Sequence, residues 1–394
     1  MKSETLISEF WALTGLAYSL AFPSIGIIAK YFGTLCMFVY VPFVFFAIWM
    51  IHKYVAVWFQ NLVSERIANW LLVATFVGLM ATFFIVYPIA NAQPPDRGSD
   101  ADEALKIAAQ ELIHGRYPYY PKTYLNNPIA PMPGAVLLVT PFVLLGEGSL
   151  HNLFWLAAFF IVLRIYLKES RSTLLLLWTS LILCPAVVHN IVTGVDETSN
   201  AIYVFFFSLL LLKTVIKETS SSSAKTATAI LLGVSLSSRG NFALLMLSVF
   251  YFLARQTNWV TAIKYATITG LALATVTIPF WLYDPSGFAP IYIQHTKVAQ
   301  FQRVLPYSNI LIPLSAVLLS VILCLKFLND SLIRLFAACA LVQAVLVLYV
   351  VTLSLILNRL FGLALTGYGV FVLPFSLFAC GISLFNQNRK FDVL

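Results

Sequence analysis

Apolar runs recur from one end of this chain to the other, most of them long enough to cross a hydrocarbon core of about 30 Å as a helix. They lie at Glu9–Ala29, Gly33–Ile51, Asn69–Ile89, Leu150–Leu167, Thr173–His189 and Ser199–Leu212. Ala227–Ser237, Phe242–Ala254, Ala262–Leu282, Tyr307–Phe327, Leu332–Leu357 and Ala364–Phe385 follow. Backbone amides cannot go unpaired in hydrocarbon, so only helices and closed barrels span it, and runs of this length read as helices. Composition agrees. Of 394 residues, 60% are hydrophobic and 10% charged, against roughly a quarter charged in a soluble domain. So few charges cannot cover a soluble globule of this size. The expected fold class is all-α: a polytopic transmembrane helical bundle of about twelve spans.

The net charge is +8, but the basic residues form no stripe interleaved with aromatics, which argues against a nucleic-acid partner. They fall between the apolar runs. Lys53 and Arg66 share one loop, and Arg164, Lys168 and Arg171 another. Lys213, Lys217 and Lys225 bracket a serine-rich connector; Arg255 with Lys264, Lys326 with Arg334, and Arg389 with Lys390 come later. Placing all these loops in the cytoplasm puts both termini inside. Met1 to Glu9 carries a lysine and two glutamates with no small-residue cleavage site after the first run, so that run reads as a retained anchor. The five cysteines lie in or beside apolar stretches without ligand spacing and read as packing residues. No phosphate-binding loop or dinucleotide fingerprint is present, which argues against a nucleotide-driven pump.

Residues 1–394 read as one transmembrane domain, with three spans in 1–90, a long outer loop in 91–132 and the remaining spans in 133–394. Two segments resist simple spanning. Pro133 to Gly146 would be only about 20 Å long as a helix and is expected to be re-entrant or juxtamembrane. Ser237-Ser238-Arg239-Gly240-Asn241 interrupts the run from Ile230 to Leu253, which suits two half-length helices meeting at a polar break. Irregular backbone at membrane depth is tolerated only where it lines a protein cavity.

The outer loop concentrates acid at Asp96, Asp100, Asp102 and Glu103. Beyond them, Leu105, Ala108 and Leu112 repeat at helical steps and Gly115 supplies a stop, predicting an amphipathic helix on the membrane surface. Tyr117, Tyr119, Tyr120 and Tyr124 suit an aromatic belt at the headgroups. Pro118, Pro121, Pro128, Pro131 and Pro133 stiffen the return. Asp100 has two compatible readings: a carboxylate that accepts a proton from a substrate hydroxyl, or, with Glu103, a helix N-cap. Asp196 and Glu197, on a second outer turn, either assist or hold a divalent metal ion, or cap the helix beginning near Ser199. Arg239 offers a planar donor fork for a phosphate, or forms a salt bridge to an outer carboxylate. Lys297 and Arg303 lie in a second outer loop as further phosphate-binding candidates. His151 and His189 stand at no recognisable metal spacing.

The run Asp100, Ala108, Gly115, Pro118 and Tyr119, followed by the prolines from Pro128 to Pro133 and an apolar stretch, resembles the first outer loop of the glycosyltransferase C superfamily. Gly194-Val195-Asp196 resembles its second acidic turn, and Leu236 to Phe242 its pair of short helices joined at a basic residue. The likeness covers roughly residues 95–254 and is closest in pattern to polyprenyl-phosphate mannosyltransferases and aminoarabinose transferases. Three spans precede the loop where one is common, and glycine stands before Tyr368 where a basic residue is common. The resemblance implies transfer of a sugar from a polyprenyl-phosphate donor to a glycan, lipid or protein acceptor outside the cytoplasm. It implies Asp100 and Asp196 as catalytic residues and Arg239, Lys297 and Arg303 as donor-phosphate contacts. Asp102, Glu103, Glu197 and Tyr119 would serve the acceptor. The short loops suit a bacterial plasma membrane. A multi-span transporter or lipid-linked-glycan flippase is the rival reading, though acidic residues for ion coupling are missing from mid-span regions. A non-catalytic subunit of a membrane complex is the third.

Overall fold

A computed structural model describes residues 7–92 and 100–385, except for the side chains of Gln294, His295, Lys297 and Val298. Among the described residues its regular structure is all helical, and the loops contain one isolated bridge between Lys122 and Pro128. The α-helices are α1 (Glu9–Ala21), α2 (Ile25–Phe32), α3 (Thr34–Met50), α4 (Ala56–Leu62), α5 (Glu65–Asn91) and α6 (Ala101–Ile113). Then come α7 (Pro133–Leu144), α8 (His151–Leu167), α9 (Ser170–Leu183), α10 (Pro185–Thr193), α11 (Glu197–Ile216) and α12 (Ser222–Leu236). The last six are α13 (Met246–Gln256), α14 (Trp259–Tyr283), α15 (Ala289–Phe301), α16 (Ser308–Lys326), α17 (Leu332–Asn358) and α18 (Leu373–Phe385).

Eight helical stretches among the described residues are long and apolar enough to cross a membrane: Glu9–Phe32, Thr34–Leu62, Glu65–Asn91, Gly148–Leu167, Glu197–Ile216, Trp259–Tyr283, Ser308–Lys326 and Leu332–Phe371. The other expected crossings fall on shorter pieces. α9 and α10 bend by 79° at Cys184, where Pro185 opens the second helix and has no amide to continue the first. α12 and α13 are separated by the break at Arg239, and α18 has 13 residues. Leu332–Phe371 is not one straight rod, which at 1.5 Å per residue would run to about 60 Å. The chain reverses at Arg359, held at φ +50°, and Gly362 then packs on the backbone of Ser354 and Leu355. A 3₁₀ stretch, Arg359–Phe371, leads back to α18.

The chain divides into two compact units. The described residues of the first are 7–86, 153–192 and 327–385. Small residues let its helices approach: Gly15 faces Cys380, its carbonyl accepting from Ser376 Oγ at 3.0 Å, and Gly26 N donates to Thr366 Oγ1 at 2.9 Å. Arg171 pairs with Glu65 at 3.0 Å and Glu169 at 2.7 Å. The loops before α5 and α9, assigned to one side by their positive charge, therefore meet at one end of this unit.

The described residues of the second unit are 87–92, 100–152 and 193–326. Its sequence explains its packing. Gly134, near the start of α7, lies so close to Val234 O and the backbone of Ser237 and Ser238 that a Cβ would collide with them. Gly134 N donates to Ser237 Oγ at 3.2 Å, which seats the start of α7 on the polar break after α12. Gly233 makes a similarly close approach to Thr269 O and Leu273 N of α14. With 12 residues, α7 is about 18 Å long.

Candidate functional site

The second unit gathers most of the polar residues singled out above. α6 forms where the acidic run ends, and its close is a Schellman turn: Arg116 N donates to Glu111 O at 2.9 Å, and Gly115 takes φ +68°. The Arg116 guanidinium then returns to the Glu111 carboxylate with two bonds of 2.6 Å, lowering that acid's pKa by hydrogen bonding. The apolar face of α6 is real, but its partner is protein. Leu105, Ala108 and Ala109 are buried against Val136, Val139, Ile129, Met132 and Phe288, with Leu112 half-buried beside them. The expectation of a helix lying with that face in lipid is corrected accordingly.

Asp100 stands at the N-cap position of α6, yet its side chain makes no cap bond. Its Oδ2 accepts from Thr123 Oγ1 and from Asn127 Nδ2, the latter at 2.9 Å. Glu103 likewise leaves the capping-box geometry, and its Oε2 accepts from Tyr124 N at 2.8 Å. The two acids fasten the proline-rich return instead of capping the helix. Asp102 points elsewhere and is buried. Its Oδ2 accepts from Tyr87 Oη at 2.8 Å and Asn91 Nδ2 at 3.0 Å. Burial raises the Asp102 pKa, and those two donors oppose the rise.

Gly194, at φ +74°, turns the chain into α11, and a Cβ there would strike Ser149 Oγ, Asp102 Cβ and the Tyr87 ring. The Asp196 turn therefore rests directly on α6. Asp196 occupies the N-cap position of α11 without capping it. Its Oδ1 accepts from Arg239 Nη2 at 2.9 Å, and its Oδ2 from Asn200 Nδ2 at 3.0 Å, one helical turn on. Tyr203 Oη donates to Asn200 Oδ1. Asn152 holds the other flank, accepting from Ser199 Oγ and donating to Val195 O at 3.2 Å. Arg239 itself sits in extended backbone between α12 and the 3₁₀ turn Gly240–Leu245. Two residues singled out 43 positions apart are thus one ion pair, and of the two readings of Arg239 the salt bridge is observed.

The remaining candidates are distributed differently. Glu197 is the half-buried first residue of α11. Tyr119 is no belt residue: it is packed edge-on to Phe288 at 4.9 Å, and burial drives its phenol pKa well up. Tyr117 stacks on Tyr283 and donates to Phe280 O at 2.9 Å, whereas Tyr120 and Tyr124 are exposed. The second outer loop contains a helix, α15; Lys297 lies on it with a side chain outside the described residues, and Arg303 is exposed on the turn beyond. His151 is buried, with Nδ1 2.8 Å from Gly148 O. Among the described residues no group of three or more His, Cys, Asp or Glu is placed to hold a metal ion. A cation at Asp196 would also face the Arg239 guanidinium.

Sequence reading missed Tyr87, Asn91, Glu147, Ser149, Asn152, Asn200 and Tyr203. Tyr87 and Asn91 are one turn apart on α5, as are Asp196 and Asn200, and that i to i+4 spacing was the available signal. No known family's sequence profile matches this chain, and no curated protein or solved structure is significantly similar to it.

Proposed function

We propose that the protein is a membrane glycosyltransferase that takes a sugar from a polyprenyl phosphate on the extracytoplasmic face of a bacterial plasma membrane. The observation that carries this reading is the Asp196–Arg239 pair at a break between two short helices, with an acidic helix resting on the same turn. The charge pattern of the loops supports an outer position for that turn and that break, when α9–α10 is read as one crossing and α12, α13 and α18 as one each.

In this reading Arg239 receives the donor phosphate. Its side chain is 23% exposed while that of Asp196 is 3% exposed, so Asp196 fixes the guanidinium and an anion would approach its exposed part. The Asp100 carboxylate, steadied on one oxygen by Thr123 and Asn127, takes the proton of the acceptor hydroxyl or amine. The acceptor atom bonds to the anomeric carbon as the bond from that carbon to the phosphate oxygen breaks. Charge developing on the leaving phosphate is met by Arg239. Asp102, already engaged by Tyr87 and Asn91, supports the site from behind.

The test is transfer from a panel of radiolabelled polyprenyl-phosphate sugars to added glycan, lipid and peptide acceptors by the purified protein in proteoliposomes. Labelled product is expected from at least one donor. Absence of product, together with movement of a labelled lipid-linked glycan between leaflets, would replace the reading with a flippase.

A further inference from the structure

Tyr87 brings two carboxylates together in a way the proposed chemistry does not use. Its Oη lies 2.8 Å from Asp102 Oδ2 and 3.3 Å from Glu147 Oε1, and it accepts from Ser149 Oγ at 2.9 Å. Ser149 N donates to that same Glu147 oxygen at 3.1 Å. A phenol carries one proton, so Tyr87 can satisfy only one carboxylate fully at a time. Tyr87 lies closer to Asp102, and Ser149 N supplies the donor for Glu147. Asp102 comes from α6 and Glu147 from the turn before α8, while Gly194 fits over Ser149, Asp102 and the Tyr87 ring with no room for a side chain.

We propose that Tyr87, Asp102 and Glu147 are positioning residues that hold α6 on the Gly194–Asp196 turn, the hold being strongest when the buried Asp102 carries a proton. The clamp sets where Asp100 lies relative to the Asp196–Arg239 pair, and in that respect it rests on the function proposed above. The other titratable groups on the elements that meet at the clamp are Asp100 just before α6, Glu103 and Lys106 on it, Tyr124 on the return loop, His151 at the start of α8, and Asp196 beyond Gly194. Glu103 and Asp100 are engaged by Tyr124 N and by Thr123 and Asn127, away from the clamp. Burial favours the protonated form of Asp102. The docked state therefore binds more protons than the undocked one. Docking is strongest below the ordinary carboxylate pKa and weakens as pH rises through the raised value.

Hydrogen–deuterium exchange of the full-length protein in lipid nanodiscs, from pH 5 to 9 and corrected for intrinsic exchange, reads this directly. In wild type, protection of residues 100–113 and 190–200 should fall by up to about tenfold per pH unit between the ordinary carboxylate value and the raised one, and level off above it. Asp102→Asn should flatten that dependence near the low-pH level, since an amide oxygen still accepts from Tyr87, while Glu147→Gln, whose amide oxygen still accepts from Ser149 N, should keep it. Tyr87→Phe should lower protection in both segments at every pH. Wild-type protection independent of pH, or an unchanged pH dependence in Asp102→Asn, would overturn the clamp. Exchange reports docking and not sugar transfer, so its outcome stands whether or not transfer is found.

Discussion

Deleting the Arg239 guanidinium while leaving Asp196 in place is expected to be among the most damaging single changes to the second unit. The Asp196 side chain is 3% exposed and keeps only its bond from Asn200 when Arg239 is lost. Breaking a buried pair from one side costs about 3–5 kcal/mol. Asn200 and the partial exposure of Arg239 place Arg239→Gln near the low end, at about 3 kcal/mol. Asp196→Asn leaves an arginine that can reach water, so it should cost less, about 1–2 kcal/mol. The double change sets two amides face to face with no buried charge and should cost about 1–2 kcal/mol in total. The coupling energy is then about 3 kcal/mol. Reversible unfolding of the four proteins in mixed micelles, with the folded fraction followed by near-ultraviolet circular dichroism, gives the cycle. Additivity to within about 0.5 kcal/mol would refute the reasoning, because it would mean the two residues do not meet.

Three further outcomes follow from the same geometry. Gly194→Ala should cost about 3 kcal/mol, since a left-handed alanine costs roughly 1–2 and the crowding against Ser149, Asp102 and Tyr87 adds to it; Gly115→Ala, left-handed but in open space, should cost only about 1 kcal/mol. Equal losses in the two unfolding curves would remove the claim that the Asp196 turn rests on α6. Gly134→Ala should destabilise by about 1–3 kcal/mol through overpacking against the backbone after α12, and a neutral result would mean that α7 does not seat there. Asp284 accepts from Ser286 Oγ at 2.7 Å and Gly287 N at 2.9 Å, which hold its carboxyl below the usual range. The turn's contribution is present above the ordinary value near 4 and is lost as pH falls through the depressed one. A carbon NMR titration of labelled aspartate should show that low midpoint, and one at or above the ordinary value would contradict the turn.

How far the sequence carried depended on whether a feature was local. The apolar runs announced helices because their length alone meets the bilayer's requirement. Pro185 was visible, but the 79° bend it accompanies and the reversal at Arg359 depend on what the flanking helices pack against. The face of Leu105, Ala108 and Leu112 was legible as apolar, while periodicity does not say whether lipid or protein covers it; α7 does. Asp100 and Asp196 both stood at cap positions, and both turned to tertiary partners that only the fold supplies. Tyr119 looked like its exposed neighbour Tyr120, since side-chain burial in a proline-rich loop has no period to read. Tyr87, Asn91 and Asn152 passed unnoticed because a lone polar residue at the end of an apolar run is indistinguishable from an ordinary interface residue.

The measurement closest to the central claim is single-turnover sugar transfer in proteoliposomes by wild type and by folded Asp100→Asn and Arg239→Gln proteins. Wild-type transfer, with a loss on the order of a hundredfold or more in each variant, is the predicted result. Transfer at the wild-type rate in both variants would contradict the account, because neither the proton acceptor nor the phosphate contact would then lie at this site.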